Sequence, residues 1–171
     1  MRDDAVARLV DQMEIEEVLH RYCRGVDRVD AAELAACYHD DGTDDHGTFR
    51  GLGTDFARWA TGGAADVWAA SHHTVHNVIV EWVEPDVAHV ESYVLAFNHR
   101  TPAADGSDGP VEVFAGRYLD RFERRDGRWR IQHRRALRDV DSLVERRRWA
   151  GKIPAGARRP DDGLYAADWR A

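Results

Sequence analysis

Three histidines stand close together in the segment SHHTVHN, residues 71–77, directly before the apolar run VIVEWV. Imidazole nitrogens can bind a metal ion or take a proton from a substrate as a general base. His72 and His76 have the spacing of the helical zinc motif HExxH, but His73 stands where that motif has its glutamate. In a strand, positions four apart lie about 13 Å from each other, too far to share one zinc. This segment therefore favours acid–base chemistry over a metal.

A metal remains the alternative for the segment TDDHG, because Asp44, Asp45 and His46 are hard ligands that stand together. Turn formation explains this segment at least as well. The two cysteines, Cys23 and Cys37, form no CxxC pair, and the sequence contains neither GxSxG nor a complete GxGxxG. We therefore expect no metal and no cofactor.

The hydrophobic pattern predicts three helices followed by four strands. Apolar residues recur at helical spacing from Asp3 to about Val26, and Asp30 can cap a second helix over Ala31–Tyr38. DGTDDHGTFRG predicts a short hairpin, and GTDFARWATGG a third helix ended by glycines. This order, helices before long antiparallel strands, is typical of an α+β fold with helices on one face of a curved sheet. Strands are predicted near 72–83, 87–100, 111–125 and 128–139.

Bulk properties exclude several classes of protein. A length of 171 residues fits one domain, predicted over residues 1–140, with 141–171 as an extension of Pro, Gly and Arg without a clear period. A net charge of −7 argues against nucleic acid as a partner. No apolar run approaches the roughly 20 residues that a membrane helix needs. The charged N-terminus has no signal-peptide core, so we expect a cytoplasmic protein.

Two elements can bring a base and a carboxylate together. Alternation along the first strand places His72, Thr74 and His76 on one face with the apolar positions that follow, as in a pocket wall, and His73 on the other. From this strand alone, a hydrogen-bonded core histidine is favoured over a base. Tyr22 and Asp27 end the first helix, and a carboxylate beside an imidazole fixes its tautomer and stabilises the imidazolium. A turn or capping role for Asp27 is equally compatible with the sequence.

Four segments carry a family resemblance: RYCRGVD, YHDDGTDDHGTFRG, HHTVHNVIVEW and GRYLDRFERRDGRWRIQHRR. Over roughly residues 8–140 the chain resembles the SnoaL-like branch of the nuclear-transport-factor-like superfamily. Its nearest likeness is to the group of scytalone dehydratase, bile-acid dehydratase and hexachlorocyclohexane dehydrochlorinase. The resemblance implies a cone-shaped, curved antiparallel sheet wrapped around the helices and enclosing one apolar pocket.

The resemblance also implies roles for individual residues. Asp27 and His76 correspond to the catalytic pair, Tyr22 to a hydrogen-bond donor, and Arg134 to a group that stabilises developing negative charge. Strand alternation instead places Arg135 on the face of Trp129, unless a bulge intervenes. The pocket is predicted to be lined by His72, Thr74, Val78, Phe114 and Tyr118.

The expected function is that of a cofactor-independent lyase, a dehydratase or related enzyme acting on a hydrophobic cyclic small molecule such as a steroid or polyketide. An isomerase or cyclase with the same pair is the alternative enzyme, and a non-catalytic ligand-binding or structural subunit is the alternative from another class. We also expect a homo-oligomer, because the predicted outer sheet face is more apolar than a soluble monomer usually leaves exposed. The resemblance to the dehydratase group implies a trimer, and the alternative is a dimer. That face is predicted to include Val75, Ile79, Val90 and Val94.

Overall fold

The computed structural model describes residues 2–63, 65–144 and 156–165. Three helices and six strands agree with the predicted order of elements and confirm the α+β class. The helices are α1 (Arg2–Arg28), α2 (Ala31–Ala36) and α3 (Gly53–Thr61). The strands are β1 (Tyr38–Asp45), β2 (Arg50–Leu52), β3 (Trp68–Glu84), β4 (Val87–Arg100), β5 (Val111–Arg125) and β6 (Arg128–Val144).

All six strands form one curved sheet in the order β2-β1-β6-β5-β4-β3. Strands β3, β4, β5 and β6 pair antiparallel in succession, and β1 and β2 form the predicted hairpin. Strand β1 runs parallel to β6, so the sheet is mixed rather than wholly antiparallel. Strand β1 follows two helices in the chain and is not joined to β6 by a tight turn. The connection therefore does not impose an antiparallel direction on this pair.

Helix α1 packs its apolar stripe against the inner face of the sheet. Ile15, Leu19 and Tyr22 are at most 1% exposed. A Cβ on Gly25 would come within 3.0 Å of the Leu34 backbone nitrogen, so a glycine here lets α2 fold closely against the last turn of α1. No helix within the described ranges has the length and apolar character to span a bilayer.

A bulge near Asn77 reverses the alternation of side chains along β3. The pairing with β4 shifts register between His76 and Ile79, and Asn77 has a left-handed backbone with φ of +49°. Before this point the odd-numbered His73 and Val75 turn inward, and after it the even-numbered Val78 packs against the core. The extra residue therefore moves His72, Thr74 and His76 to the exposed outer face, contrary to the prediction.

A second bulge does the same in β6. Register shifts between the pairs Arg121–His133 and Phe122–Ile131, so one residue of β6 is left over. Arg134 is consequently buried with 0% exposure, whereas Arg135 is exposed. The structure thus decides the alternative left open by the sequence and places Arg134 in the interior.

Because of the bulge in β3, the residues on the outer sheet face differ from those predicted. Val75 pairs with Val94, and Val80 with Val90, so all of them lie on the inner face. Val90 and Val94 are core residues, 2% and 1% exposed. Of the four residues predicted for the outer face, only Ile79 is exposed there, at 50%.

Candidate active site

A cavity of about 300 Å³ lies between α1, α3 and the inner face of strands β3 to β5. Its walls combine aromatic and small apolar side chains with several polar ones, an arrangement suited to a small apolar ligand that must be oriented. The predicted residues Tyr22, Phe114 and Tyr118 line it, whereas Val78 packs against the core instead. The other aromatic lining residues are Phe56, Trp59 and Trp68, and the polar ones include His46, Ser71, His73, Asn98 and Arg158.

Asp27 and His73 form a close pair at this cavity. The Asp27 Oδ1 lies 2.6 Å from the His73 Nδ1, and the backbone N–H of His73 donates to Oδ2 at 2.9 Å. Both residues are largely buried, and the His73 side chain lines the cavity. Because a carboxylate only accepts hydrogen bonds, Nδ1 carries a proton and Nε2 is left as the basic nitrogen.

The predicted partnership of Asp27 with His76 is wrong. The His76 side chain is exposed on the outer sheet face, where its ring centroid lies 6.0 Å from that of Tyr93. The prediction assumes that inward and outward side chains alternate without interruption along β3. The bulge at Asn77 breaks this alternation, so the residues before it face the opposite side from the one predicted. His73 therefore occupies the position expected of His76.

A second histidine–carboxylate pair reaches the same cavity from the turn after β1. The His46 Nδ1 is hydrogen-bonded to Oδ1 of the fully buried Asp44, and its Nε2 lies 3.2 Å from the Tyr22 hydroxyl. The Tyr38 hydroxyl donates to Oδ2 of Asp44 at 2.5 Å. The His46 ring also stacks on Phe56, with centroids 4.5 Å apart. These contacts hold His46 in one orientation beside the cavity.

Asp44, Asp45 and His46, considered as metal ligands in the sequence, have other partners. Asp44 is engaged as described, and Asp45 accepts from the Gly47 backbone N–H at 2.9 Å. Within residues 2–63, 65–144 and 156–165, no three His, Cys, Asp or Glu side chains are grouped to hold a metal ion.

Arg134 lies behind the aromatic wall and not in the lining of the cavity. Its Nε and Nη2 donate to both carboxylate oxygens of Asp120, at 2.8 and 2.6 Å. The guanidinium carbon lies 4.1 Å from the ring centroid of Tyr22 and 4.0 Å from that of Tyr118. Burial alone would lower the pKa of Arg134, but the Asp120 carboxylate raises it well above its ordinary value. Arg134 is thus a permanent cation that supports two lining tyrosines.

Burial also decides which groups stay protonated. It raises the pKa of Tyr22 well above its ordinary value, so the phenol keeps its proton and can donate it in a hydrogen bond. Burial likewise raises the pKa of Cys23 and Cys37 to about 12, and both thiols are free. A thiol that resists ionisation is a poor nucleophile, in keeping with the core role predicted for both cysteines.

Sequence reasoning singled out TDDHG but did not connect it with the pocket. The signal available was the spacing of Asp44 and His46, which places two polar groups on one side of an extended segment. Arg158 was missed because nothing in an aperiodic tail indicates where it folds back.

The comparisons with known proteins agree with this architecture. A family model described as a SnoaL-like domain matches residues 7–135. A putative scytalone dehydratase from Novosphingobium aromaticivorans is 24% identical, with a TM-score of 0.72 over 86% of this chain and 94% of that one. A type 2 hexachlorocyclohexane dehydrochlorinase is 21% identical, with a TM-score of 0.75 over 86% and 98%. The type 3 enzyme from Novosphingobium barchaimii is 20% identical, with a TM-score of 0.74 over 88% and 99%. At these identities the likeness shows the fold alone, and no protein of curated function matches the chain.

Proposed function

The chain belongs to the SnoaL-like domain family, and within it we propose a cofactor-independent lyase that dehydrates a hydrophobic cyclic small molecule. The observation that carries the proposal is the Asp27–His73 pair at an aromatic cavity that also contains His46 and Tyr22. An elimination needs a base for the proton on carbon and an acid for the departing hydroxyl. The cavity offers one candidate for each.

In this mechanism His73 is the base. Its Nε2 takes a proton from a carbon next to a carbonyl group, and the electrons of the broken C–H bond pass into an enolate. Asp27 keeps the ring in the required tautomer and stabilises the imidazolium that forms. A positioned base of this kind contributes about 10²–10⁴-fold to the rate.

The acid is the chain formed by Asp44, His46 and Tyr22. When the enolate collapses, the carbon–oxygen bond of the leaving hydroxyl breaks, and that oxygen receives a proton from the Tyr22 hydroxyl. His46, protonated and held by Asp44, passes its own proton on to Tyr22. Water is released, His46 regains a proton from solvent, and His73 returns its proton to solvent. Atoms and charge balance without a cofactor.

The proposal is tested with a panel of hydrophobic cyclic β-hydroxy ketones. Dehydration turns each compound into a conjugated enone, whose new ultraviolet absorbance reports turnover. We expect saturable turnover of at least one member. A protein that binds members of the panel but exchanges or shifts their protons without loss of water is instead an isomerase. A protein that does neither contradicts the enzymatic proposal and favours a non-catalytic subunit.

The Tyr22→Phe variant is expected to retain its fold and lose part of the turnover. The change removes one hydrogen bond to a developing charge, worth roughly 1.5–3 kcal/mol, and leaves the ring between Arg134 and Phe56. His46→Gln should lower turnover at least as much, because it removes the group that reprotonates Tyr22. Enone formation measures both losses. Unchanged turnover in both variants would exclude this acid.

We further propose that the outer sheet face joins copies of this chain, in a trimer or otherwise a dimer. Large apolar side chains are exposed there in a patch that a soluble monomer seldom leaves open. Ile79, Tyr93, Phe97 and Leu119 are 50, 39, 42 and 37% exposed. Multi-angle light scattering should give a multiple of the 19.4 kDa chain mass at micromolar concentration. Phe97→Glu should reduce the measured mass towards that of a single chain. A wild-type protein that is monomeric under these conditions would contradict the proposal.

A further inference from the structure

Residues 156–165, here called the C-terminal arm, fold back across the end of α1. The Arg159 backbone N–H donates to the Arg28 carbonyl at 2.9 Å. Asp30 accepts hydrogen bonds from the Arg159 guanidinium and, at 3.1 Å, from the Tyr165 hydroxyl. Arg28 in turn lies 3.5 Å from the Asp162 carboxylate. These contacts fix the arm against the end of α1, beside the cavity.

The docked arm carries Arg158 into the lining of the cavity. Its Nη1 donates to the Ala65 carbonyl at 3.0 Å, which fixes the side chain. Its Nε is buried and has no hydrogen-bond partner among the described residues. Burial lowers the pKa of Arg158, opposed by the attraction of Asp66 and Asp27, so the charge is incompletely solvated. A cation with incomplete hydration and no carboxylate partner costs free energy, and an anionic ligand beside its guanidinium lowers that cost.

We propose that Arg158 is the oxyanion-binding residue of this site, whose guanidinium, part of the cavity lining, receives an enolate-type oxygen of the substrate. The inference rests on the proposed function, because proton removal beside a carbonyl places negative charge on that oxygen. A charge-assisted hydrogen bond from a guanidinium suits such an oxygen. The substrate class is therefore narrowed to cyclic compounds whose reacting carbon adjoins a carbonyl or phenol-like oxygen.

Arg134, to which the resemblance assigned this role, is placed differently. Asp120 occupies two of its nitrogens, and the rings of Tyr22 and Tyr118 cover the guanidinium. Its positive charge is thereby compensated within the core. Arg158 has no carboxylate within salt-bridge distance among the described residues, so its charge remains available to a ligand.

The probe is 4-nitrophenolate, a stable aromatic oxyanion, compared with the neutral 4-nitroanisole of similar shape. Nitroaromatic compounds quench tryptophan fluorescence, and Trp59 and Trp68 line the cavity. At pH 8 we expect saturable binding of the phenolate by the wild-type protein. Arg158→Gln should weaken it by about 10–100-fold, the loss of one hydrogen bond to a charged group. Arg158→Lys should restore part of the affinity, since it restores the charge.

Two controls separate a lost subsite from a damaged protein. Binding of 4-nitroanisole should be the same in the wild type and Arg158→Gln, because that ligand carries no charge. Arg138→Gln removes an exposed arginine of β6 that pairs with Asp141, and it should leave both affinities unchanged. Arg159→Gln keeps Arg158 but removes the hydrogen bond that holds the arm to Asp30. It should weaken the binding of 4-nitrophenolate and leave the binding of 4-nitroanisole unchanged.

Equal affinity of the wild type and Arg158→Gln for 4-nitrophenolate would overturn the inference. So would the absence of saturable phenolate binding by the wild type. The probe requires no turnover, so the two proposals fail separately. Binding that depends on Arg158 in a protein that dehydrates no β-hydroxy ketone would support the subsite and leave the lyase proposal refuted.

Discussion

Replacement of His73 with alanine is expected to lower enone formation by about 10²–10⁴-fold, the contribution of a positioned general base. His73 Nε2 is the nitrogen left free by the bond from Nδ1 to Asp27, and the side chain lines the cavity. Steady-state kinetics on the best β-hydroxy ketone measures the loss. The loss should fall on kcat, because the base acts in the chemical step and adds little to substrate binding.

His76→Ala is the matched control, since it removes the same side chain from the same strand. His76 is exposed on the outer sheet face, so turnover should stay close to that of the wild type. Asp27→Asn preserves size but removes the charge that stabilises the imidazolium, and it should lower kcat sharply. If His76→Ala were the damaging change and His73→Ala the silent one, the base assigned here would be the wrong residue.

The second large effect concerns stability. Asp120→Ala is expected to lower the free energy of unfolding by about 3–5 kcal/mol, because it leaves the Arg134 charge buried without its partner. Both side chains are fully buried, and their bidentate contact joins β5 to β6. Urea denaturation followed by circular dichroism measures the change.

Asp139→Ala gives a matched control for that experiment. Asp139 pairs with Arg117 at 2.9 Å across the same two strands, but its side chain is 42% exposed. Water screens such a pair, so the expected loss is a small fraction of that in Asp120→Ala. Equal losses in the two variants would mean that the Arg134 charge finds another partner or is hydrated in the folded protein.

The predicted elements follow closely from the periodicity of apolar residues. Helix α1 was predicted over Asp3–Val26 and spans Arg2–Arg28, because its buried stripe repeats at helical spacing. The bounds of β4 and β5 agree with the predicted strands for the same reason, since inward and outward residues alternate. The local pattern of apolar and polar residues predicts such elements because each side chain points either to the core or to solvent.

The identity of the base did not follow from the sequence, because a bulge of one residue exchanges the two faces of a strand. Asn77 tolerates a left-handed backbone better than most residues, but an asparagine alone does not predict a bulge. The Asp27–His73 pair and the placement of His46 and Arg158 at the cavity depend on tertiary contacts. The contact of Asp27 with His73 spans 46 residues of sequence, which no local pattern encodes.

Proton abstraction by His73 is tested most directly by hydrogen–deuterium exchange, which does not require a leaving group. A cyclic ketone such as 1-tetralone is incubated in D₂O with the wild type, His73→Gln or His76→Gln, and deuterium at the carbon beside the carbonyl is followed by NMR. Exchange above the uncatalysed rate is predicted for the wild type and His76→Gln and should be lost in His73→Gln. Exchange that persists in His73→Gln and disappears in His76→Gln would contradict the account.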